Sequence, residues 1–565
     1  MIASAKKSGV EWRGVEQGQG QGQSAAKRRD GSYRQPGGGV AHAAAQPQLL
    51  RQSVGVRDFS ARLGKGRVTL KNPPMARIVA LTSVVVLTLW WCVLVAEAVE
   101  EGYQEFRVSR GQQQKPRSGH LYPWEQSVEW SKSLPQGGVG LKLVHRDEWD
   151  SPLIRPRSAS SIGSNRLQRD RARVQALNQR VAIPSSGGGT PGPPLRSPII
   201  SGLAEGSGEY FTRISFGSPS SDVLVTIDTG SDLLWIQCHP CDKCYVQVGP
   251  IFNPGESHSY DPIHCYSEAC ETLAHSKCSG VTCQYDVSYG DGSFTTGEFA
   301  RETLTLNNTK SKPFMIHDFY FGCGHDNEGL FIASAGLLGL GRGPLSFPSQ
   351  LSRVLSPRFS YCLTDRFALD GPEPSDSFLY FGEPETSHMK FTPLLHNPAA
   401  PTFYYVQLTG ISVARQQLQI PTSEFEMDSA GRGGVILDTG TSVSRLPTVA
   451  YKAMRDEFRE KLPNLQLVDV PGQDLFDTCF RIDEDQTVPT ITLHFSNDVD
   501  MVLPADNVLI PVDETGELFC LAFAGSDGRA NLSIIGNVQQ QGFRIEFDLS
   551  AKARVGFTRV DCSPN

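Results

Sequence analysis

Residues 223–231 read Val-Leu-Val-Thr-Ile-Asp-Thr-Gly-Ser, and residues 434–441 read Gly-Val-Ile-Leu-Asp-Thr-Gly-Thr. In each stretch an apolar run typical of a buried strand ends in Asp-Thr-Gly and a hydroxyl residue, so a carboxylate follows the strand on a turn that glycine permits. One Asp-Thr-Gly alone would indicate no more than a structural turn. Two copies behind matching strands predict an internal duplication that brings Asp228 and Asp438 face to face.

Two facing aspartates can perform chemistry that one cannot. Carboxylates within hydrogen-bond distance share one proton, because both cannot ionise together. The ionised member can take a proton from water while the protonated member donates to a carbonyl oxygen, which hydrolyses an amide without a covalent intermediate. Around Asp228 and Asp438 we expect support from both motifs: cross-axis hydrogen bonds from Thr229 and Thr439, donation to the outer carboxylate oxygens by Ser231 and Thr441, and turns at Gly230 and Gly440.

Further motifs resemble the pepsin-type aspartic proteases, in the nepenthesin-like plant branch that includes the guard-cell aspartic proteases. They extend in order from about Ser197 to the C-terminus. They are Gly208-Glu209-Tyr210-Phe211, Trp235-Ile236-Gln237-Cys238, Tyr289-Gly290-Asp291-Gly292-Ser293, Gly322-Cys323-Gly324-His325, Phe359-Ser360-Tyr361-Cys362 and Ile534-Ile535-Gly536-Asn537. The resemblance implies an all-β, bilobal fold with two pseudo-symmetric, barrel-like lobes and a few short helices. It also implies an aspartic endopeptidase that needs no cofactor or metal.

A hairpin lies between the two Asp-Thr-Gly motifs. Alternating strands flank Gly290-Asp291-Gly292, and Asp-Gly between such strands is typical of a hairpin turn. The resemblance implies that this hairpin is a flap over the substrate cleft and that the Tyr289 ring closes on substrate and hydrogen-bonds toward Trp235. Such a lid excludes water and strengthens the electrostatic interactions around the aspartates.

Charge is distributed unevenly along the 565 residues. Residues 1–196 hold 29 Lys+Arg and 14 Asp+Glu, whereas residues 197–565 hold 24 and 46. An acidic body argues against nucleic-acid binding, because that affinity comes mostly from cationic contacts to phosphate. It suits an enzyme that works in acid, and a basic segment lying on the body until acid loosens the contact. The alternative is that the asymmetry is only solvated surface.

The segments follow from composition and the resemblance. Residues 1–74 are rich in Gly, Gln and Ala, and predict a disordered extension or an over-extended gene model. Residues 75–98 predict a signal peptide, or a signal-anchor if the apolar run 78–95 stays uncleaved. Residues 99–196 predict a prosegment and linker, with a basic helix over 166–181. Residues 197–400 predict the N-terminal lobe, with a cysteine-rich insertion, and residues 401–565 the C-terminal lobe, with an amphipathic helix over 447–461.

Cysteine usage indicates an oxidising compartment. Twelve of the 13 cysteines lie after residue 237, which predicts disulfides. The spacing Cys238-x-x-Cys241-x-x-Cys244 also suits zinc, but a secretory signal and the other close cysteine pairs favour disulfides. The resemblance implies the pairs Cys238–Cys241, Cys244–Cys323, Cys265–Cys283, Cys270–Cys278, Cys362–Cys562 and Cys479–Cys520.

The sequence therefore predicts a secreted, monomeric aspartic endopeptidase zymogen that acts on polypeptides, at acidic pH, in the extracellular space or cell wall. The sequon at Asn307 is a glycosylation candidate. Two other functions stay open. One is a catalytically silent binding or inhibitor protein on the same fold. The other is a membrane-tethered protease, and the endoplasmic reticulum and vacuole are alternative locations.

Overall fold

The computed structural model describes three short upstream segments and most of the chain from residue 210 onward. The described residues are 102–106, 138–145, 170–181 without 172 and 176, and 210–562 without 290–292, 308–312, 330, 332–333, 365–376, 384–388, 471–474, 483–485, 514–516, 527–530 and 561. The chain divides into two units, residues 1–77 and 78–565. All described residues belong to the second unit. The predicted extension and the predicted signal segment lie outside them.

Strands dominate the described residues. In chain order they are β1 Tyr103–Phe106, β2 Val139–His145, β3 Tyr210–Phe216, β4 Ser221–Asp228, β5 Trp235–Gln237, β6 Asp261–Pro262, β7 Ser276–Ser279, β8 Thr282–Ser288, β9 Phe294–Asn307, β10 Pro313–Glu328, β11 Gly336–Gly339, β12 Arg358–Cys362, β13 Ser377–Phe381, β14 Phe391–Leu395, β15 Tyr404–Val406, β16 Leu408–Val413, β17 Gln416–Gln417, β18 Val435–Leu437, β19 Ser444–Pro447, β20 Cys479–Arg481, β21 Gln486–Pro489, β22 Ile491–Phe495, β23 Val499–Leu503, β24 Leu509–Pro511, β25 Leu518–Leu521, β26 Phe523–Ser526, β27 Ser533–Ile535, β28 Phe543–Asp548 and β29 Arg554–Arg559.

Helices are short and few by comparison. They are α1 Glu268–Glu271, α2 Phe347–Leu351, α3 Thr448–Glu460, α4 Ala505–Val508 and α5 Asn537–Gln540. The described residues between 170 and 181 are helical as well. Helix α3 buries Ala450, Tyr451, Met454 and Phe458 at helical spacing, which confirms the predicted amphipathic helix.

An antiparallel sheet joins the two halves of the chain. Its strand order is β29-β28-β12-β13-β2-β3, so the C-terminal strands pair with strands of the N-terminal half. Strand β2 comes from the segment predicted as a prosegment and lies between β13 and β3. Strand β1, from the same segment, pairs with β21 in the C-terminal half. Upstream residues are thus built into the sheets of the body.

The internal repeat seen in the sequence is a repeat of strand pairing. Strand β4 pairs in parallel with β11, which sets Gly339 opposite Asp228, and β18 pairs in parallel with β27, which sets Ile535 opposite Leu437. Each Asp-Thr-Gly turn therefore leaves its strand beside an apolar strand that carries the matching Leu-Leu-Gly or Ile-Ile-Gly motif. The all-β, bilobal architecture is the one that the sequence predicts.

Six disulfides connect the twelve cysteines, and four of the expected pairs are wrong. The observed pairs are Cys238–Cys323, Cys241–Cys244, Cys265–Cys278, Cys270–Cys283, Cys362–Cys562 and Cys479–Cys520, so only the last two agree with the expectation. None of the cysteines of the zinc-like spacing is a free thiol in this arrangement.

Strand register explains the change in pairing at Cys238 and Cys323. Strand β5 runs parallel to β10, and its continuation places the buried Cys238 5.3 Å from Cys323 between Cα atoms. In the insertion, Cys278 and Cys283 lie directly opposite each other on the β7–β8 hairpin. Cys278 bonds to Cys265, before α1, and Cys283 bonds to Cys270, within it.

Candidate active site

The two Asp-Thr-Gly turns meet at a buried centre between the halves of the chain. Asp228 and Asp438 are fully buried at the ends of β4 and β18. The N–H of Thr439 donates to Thr229 Oγ1 at 2.9 Å, and the N–H of Thr229 donates to Thr439 Oγ1 at 3.3 Å. These reciprocal bonds are the cross-axis contacts expected from the sequence, and they fix the two turns relative to each other.

The hydroxyl residues after the two turns behave differently. Thr441 Oγ1 donates to Asp438 Oδ2 at 2.5 Å, as expected. The matching contact from Ser231 to Asp228 does not reach hydrogen-bond geometry, although the Ser231 hydroxyl helps to lower the pKa of Asp228. Ser231 Oγ and Asp228 Oδ2 are both buried without a hydrogen-bond partner among the described residues. Asp228 instead presents Oδ1 to the N–H of Gly230, at 2.9 Å, and to a guanidinium from upstream.

That guanidinium belongs to Arg173, in the helical residues 170–181. Its Nε and Nη2 donate to Asp438 Oδ2 and Oδ1 at 3.0 and 2.7 Å, and Nη2 also contacts Asp228 Oδ1. One arginine therefore bridges both carboxylates in a fully buried site. Fork-shaped pairing of this kind is among the stronger charge-assisted contacts in proteins.

The charge of Arg173 changes the acidity of the pair. Burial alone would raise the pKa of Asp228, but the adjacent guanidinium, by its charge and its hydrogen bond, holds that pKa below the usual value for aspartate. The same two carboxylates raise the pKa of Arg173 against the effect of its burial. In this state one cation from outside the motifs contacts both carboxylates of the centre.

Close approach of Arg173 depends on the glycines of both motifs. A Cβ on Gly230 would lie 2.3 Å from Arg173 Nη2, and a Cβ on Gly440 would lie 2.6 Å from its Cζ. Either Cβ would push the Arg173 guanidinium off the aspartates. The two glycines therefore leave the space beside the aspartates that the Arg173 guanidinium occupies.

Other contacts hold the same helical residues in the cleft. Val174, Leu177 and Val181 pack into an apolar cluster with residues of the C-terminal half, among them Phe403 and Ile436. Arg180 Nη1 donates to the carbonyl of Gly230 at 2.9 Å. The helix thus uses an apolar face and two arginines against the cleft.

Asp170 makes a second buried contact, one turn before Arg173. Its Oδ1 accepts from the N–H groups of Ser442 and Val443, the latter at 2.9 Å, and its Oδ2 pairs with Arg445. Asp170 is 1% exposed and Arg445 is 2% exposed. The helix therefore also places a carboxylate against the wall of the C-terminal lobe.

The flap hairpin is formed by β8 and β9, and Gly290, Asp291 and Gly292 at its tip lie outside the described residues. Tyr289 N–H donates to Ser293 O at 2.7 Å and closes the turn. Trp235 Nε1 donates to Tyr289 Oη at 2.8 Å, which is the contact implied by the resemblance. Phe331 packs edge-on against both rings.

Sequence reasoning missed Arg173, Asp170 and Arg445. The prediction of a basic helix over 166–181 holds for its described residues, but one stretch with several arginines does not reveal which of them faces inward. The candidate Asn307 ends β9, and the rest of its sequon lies outside the described residues. In the described part of the chain no cluster of three or more His, Cys, Asp or Glu could hold a metal.

Comparison with known proteins fits this geometry. Family models described as xylanase inhibitor N-terminal and C-terminal match residues 210–383 and 403–559. "Aspartyl protease family protein 2" of Arabidopsis thaliana is 46% identical over 75% of this chain and 85% of its own length. "Protein ASPARTIC PROTEASE IN GUARD CELL 2" of Arabidopsis thaliana is 42% identical over 74% and 86%. Nepenthesin-2 of Nepenthes gracilis is 38% identical over 70% and 85%.

Solved structures share the fold at lower identity. The structure titled "Crystal structure of edgp" aligns with a TM-score of 0.52 at 22% identity, over 62% of this chain and 92% of that one. Conglutin gamma, titled a basic 7S globulin from lupine seeds, aligns with a TM-score of 0.51 at 21% identity, over 62% and 92%. These likenesses show the shared fold, and the matching family models and sequence relatives show that the chain belongs to the pepsin-type aspartic protease family, in its nepenthesin-like plant branch.

Proposed function

We propose that the chain is the latent precursor of a secreted aspartic endopeptidase, in which Asp228 and Asp438 activate water once Arg173 has left the cleft. One observation carries the proposal. Arg173 Nη2 lies within hydrogen-bond distance of Oδ1 of both aspartates, at the point where a water bound by both would sit. A water in that place can give a proton to the ionised carboxylate as its oxygen attacks the peptide carbonyl carbon, while the protonated carboxyl group donates to the carbonyl oxygen.

The surrounding residues suit that reaction. The cross-axis threonines hold the turns, and Thr441 fixes the orientation of Asp438. Tyr289, held by Trp235, lies on the hairpin that would close over an extended peptide. Preorganised donors in a site closed to water stabilise developing charge far better than they do in bulk solvent.

Latency follows from the position of the upstream segment. Arg173 forms ion pairs with both catalytic candidates, and the helical residues around it fill the cleft. A substrate cannot reach the aspartates until this segment moves, so residues 99–196 act as an inhibitory prosegment. Six disulfides support folding in an oxidising compartment, as a secreted protein requires. The structure describes no helix long and apolar enough to cross a membrane, and the apolar run 78–95 lies outside the described residues.

A binding or inhibitor role on the same fold is the second candidate, and it is favoured only by the descriptions of the matching family models. Both aspartates, both threonines and the flap tyrosine are in place, which argues for activity.

The test is cleavage of denatured globin by the purified full chain after incubation at about pH 3.5, where ordinary carboxylates titrate. We expect cleavage that pepstatin blocks and that Asp228→Asn and Asp438→Asn each abolish. The matched control is Asp222→Asn, whose side chain is half exposed and pairs with Arg213 on the surface. A folded wild-type protein that cleaves nothing, or one whose Asp228→Asn variant cleaves normally, would refute the proposal.

A further inference from the structure

Three donors converge on one carboxylate in the wall of the C-terminal lobe. The N–H groups of Ser442 and Val443 bind Oδ1 of Asp170, and the guanidinium of Arg445 binds Oδ2. Arg445 Nη1 also donates to the carbonyl of Val443 at 2.5 Å, so the guanidinium is held by the body itself. The donors thus form a preorganised pocket for a carboxylate, and only the carboxylate comes from the upstream segment.

The internal repeat places Arg445 in the cleft. Arg445 follows Asp438 by seven residues, as Trp235 follows Asp228. The pairing agrees, because Trp235 lies opposite Leu337 of β11 and Arg445 lies opposite Ile534 of β27. Trp235 reaches the flap through Tyr289. Arg445 therefore occupies, in the C-terminal lobe, the position that Trp235 occupies in the wall of the cleft in the N-terminal lobe.

The distance to the reacting centre supports the same location. Asp170 precedes Arg173 by three residues in a helix, which is about 4.5 Å along the helix axis. Arg173 lies on the aspartates, so the pocket lies within reach of a substrate residue close to the scissile bond.

Departure of the upstream segment would leave the pocket without its acceptor. Among the residues that the structure describes, Asp170 is the one carboxylate within ion-pair distance of Arg445. A guanidinium and two N–H groups facing the same point retain a strong preference for an anion, and an ionised carboxylate can accept from all of them at once. An apolar side chain would leave them unpaired, which is costly in a desolvated site, and an amide oxygen would accept from them without the opposite charge.

We propose that Arg445 and the N–H groups of Ser442 and Val443 form a subsite that binds an Asp or Glu side chain of the polypeptide substrate. Asp170 occupies this subsite in the latent chain as a stand-in for the substrate carboxylate. The inference rests on the proposed peptidase function and adds to it a preference for acidic residues near the cleaved bond.

The test is a profile of cleavage sites. The full chain is activated in acid and then mixed at about pH 5, where most Asp and Glu side chains are ionised, with peptides from a digested proteome. Mass spectrometry of the products is expected to show Asp or Glu enriched at least fivefold at one fixed position from the cleaved bond. For a single substrate, replacing Glu by Gln at that position is expected to lower kcat/KM about tenfold or more.

The variant Arg445→Gln is expected to bring that Glu-to-Gln ratio close to one, whereas Arg342→Gln, which changes an arginine elsewhere in the body, is expected to keep it. If Arg445→Gln fails to fold, the ratio in the wild-type enzyme still tests whether the cleft prefers an acidic residue, and a ratio of one refutes the subsite. Cleavage without any acidic preference, or a preference that survives in folded Arg445→Gln, would overturn the subsite. A protein that cleaves no peptide at all would refute the peptidase function instead, so the two failures are distinguishable.

Discussion

At the scale of single residues, the catalytic candidates follow from the sequence and their blocking group does not. The local sequence of each Asp-Thr-Gly turn predicts its geometry, because a buried strand followed by a glycine turn restricts the position of the carboxylate. Arg173 is one of several arginines between 166 and 181, and only tertiary packing selects which of them enters the cleft. Ser231 shows the same limit, since the orientation of Asp228 toward Arg173 leaves its hydroxyl unpaired.

The flap tyrosine gives a prediction at this scale. Tyr289→Phe removes the acceptor of the Trp235 N–H, which then lies buried and unpaired. Because one hydrogen bond contributes about 1 kcal/mol, we expect kcat/KM for a peptide to fall roughly fivefold. Steady-state kinetics of the activated enzyme measures this. Tyr266→Phe, at a side chain that is 81% exposed, is the control, and equal kinetics in both variants would contradict the role given to Tyr289.

At the scale of elements, local patterns predict well and long-range pairing does not. The hairpin around residues 290–292 and helix α3 follow from turn chemistry and helical spacing. Strand β1 pairs with β21 and β2 with β13, in each case more than two hundred positions away, so no local signal predicts these pairings. The difference between the expected and the observed partner of Cys238 has the same origin, because the pairing of β5 with β10 places Cys238 beside Cys323.

The pairing of Cys238 with Cys323 predicts unequal effects of two double variants. Its loop spans 85 residues, whereas the Cys241–Cys244 loop spans three. By the entropy of loop closure, Cys238→Ala with Cys323→Ala should lower the free energy of unfolding by roughly 4–5 kcal/mol, and Cys241→Ala with Cys244→Ala by roughly 1.5 kcal/mol. Denaturant unfolding measures both values. Non-reduced peptide mapping that links Cys244 to Cys323 would contradict the register argument.

At the scale of the whole molecule, the chain combines a basic upstream third with an acidic body, and the two are joined at three places. Strand β1 lies on the C-terminal half, β2 completes the sheet between the halves, and the helical residues 170–181 fill the cleft. The charge asymmetry predicts that the segments attract, but it does not predict that upstream strands enter the sheets. If the whole upstream segment is released on activation, as the proposed function implies, strand pairing is broken as well as ion pairs.

Glu546 predicts how stability depends on pH. It is fully buried in β28, and neither carboxylate oxygen has a hydrogen-bond partner among the described residues. Burial raises its pKa from 4.5 to about 7, although Arg544 and Arg358 oppose this. A raised carboxyl pKa favours folding below the unfolded value, and that contribution is lost as pH rises from about 4.5 to 7.

Glu546→Gln removes this loss. We expect the variant to have the Tm of the wild type at pH 4 and a Tm higher by a few degrees at pH 8, because the wild type must ionise a buried group there. Calorimetry across that range measures the difference. Glu271→Gln, at an exposed site, is the control. A constant difference between Glu546→Gln and wild type at all pH values would contradict the prediction.

The most direct test of the account is the pH at which Arg173→Gln becomes active. The guanidinium holds the pKa of Asp228 below its usual value. The ion pair therefore persists at every pH above this lowered pKa and is lost only as the pH falls through it. The wild type should therefore cleave a peptide only after exposure to a pH below about 4. Arg173→Gln should activate at least tenfold faster at pH 5, while Arg171→Gln, on the exposed side of the same helix, should match the wild type. Identical activation of Arg173→Gln and wild type at every pH would contradict the claim that this arginine blocks a catalytic pair of aspartates.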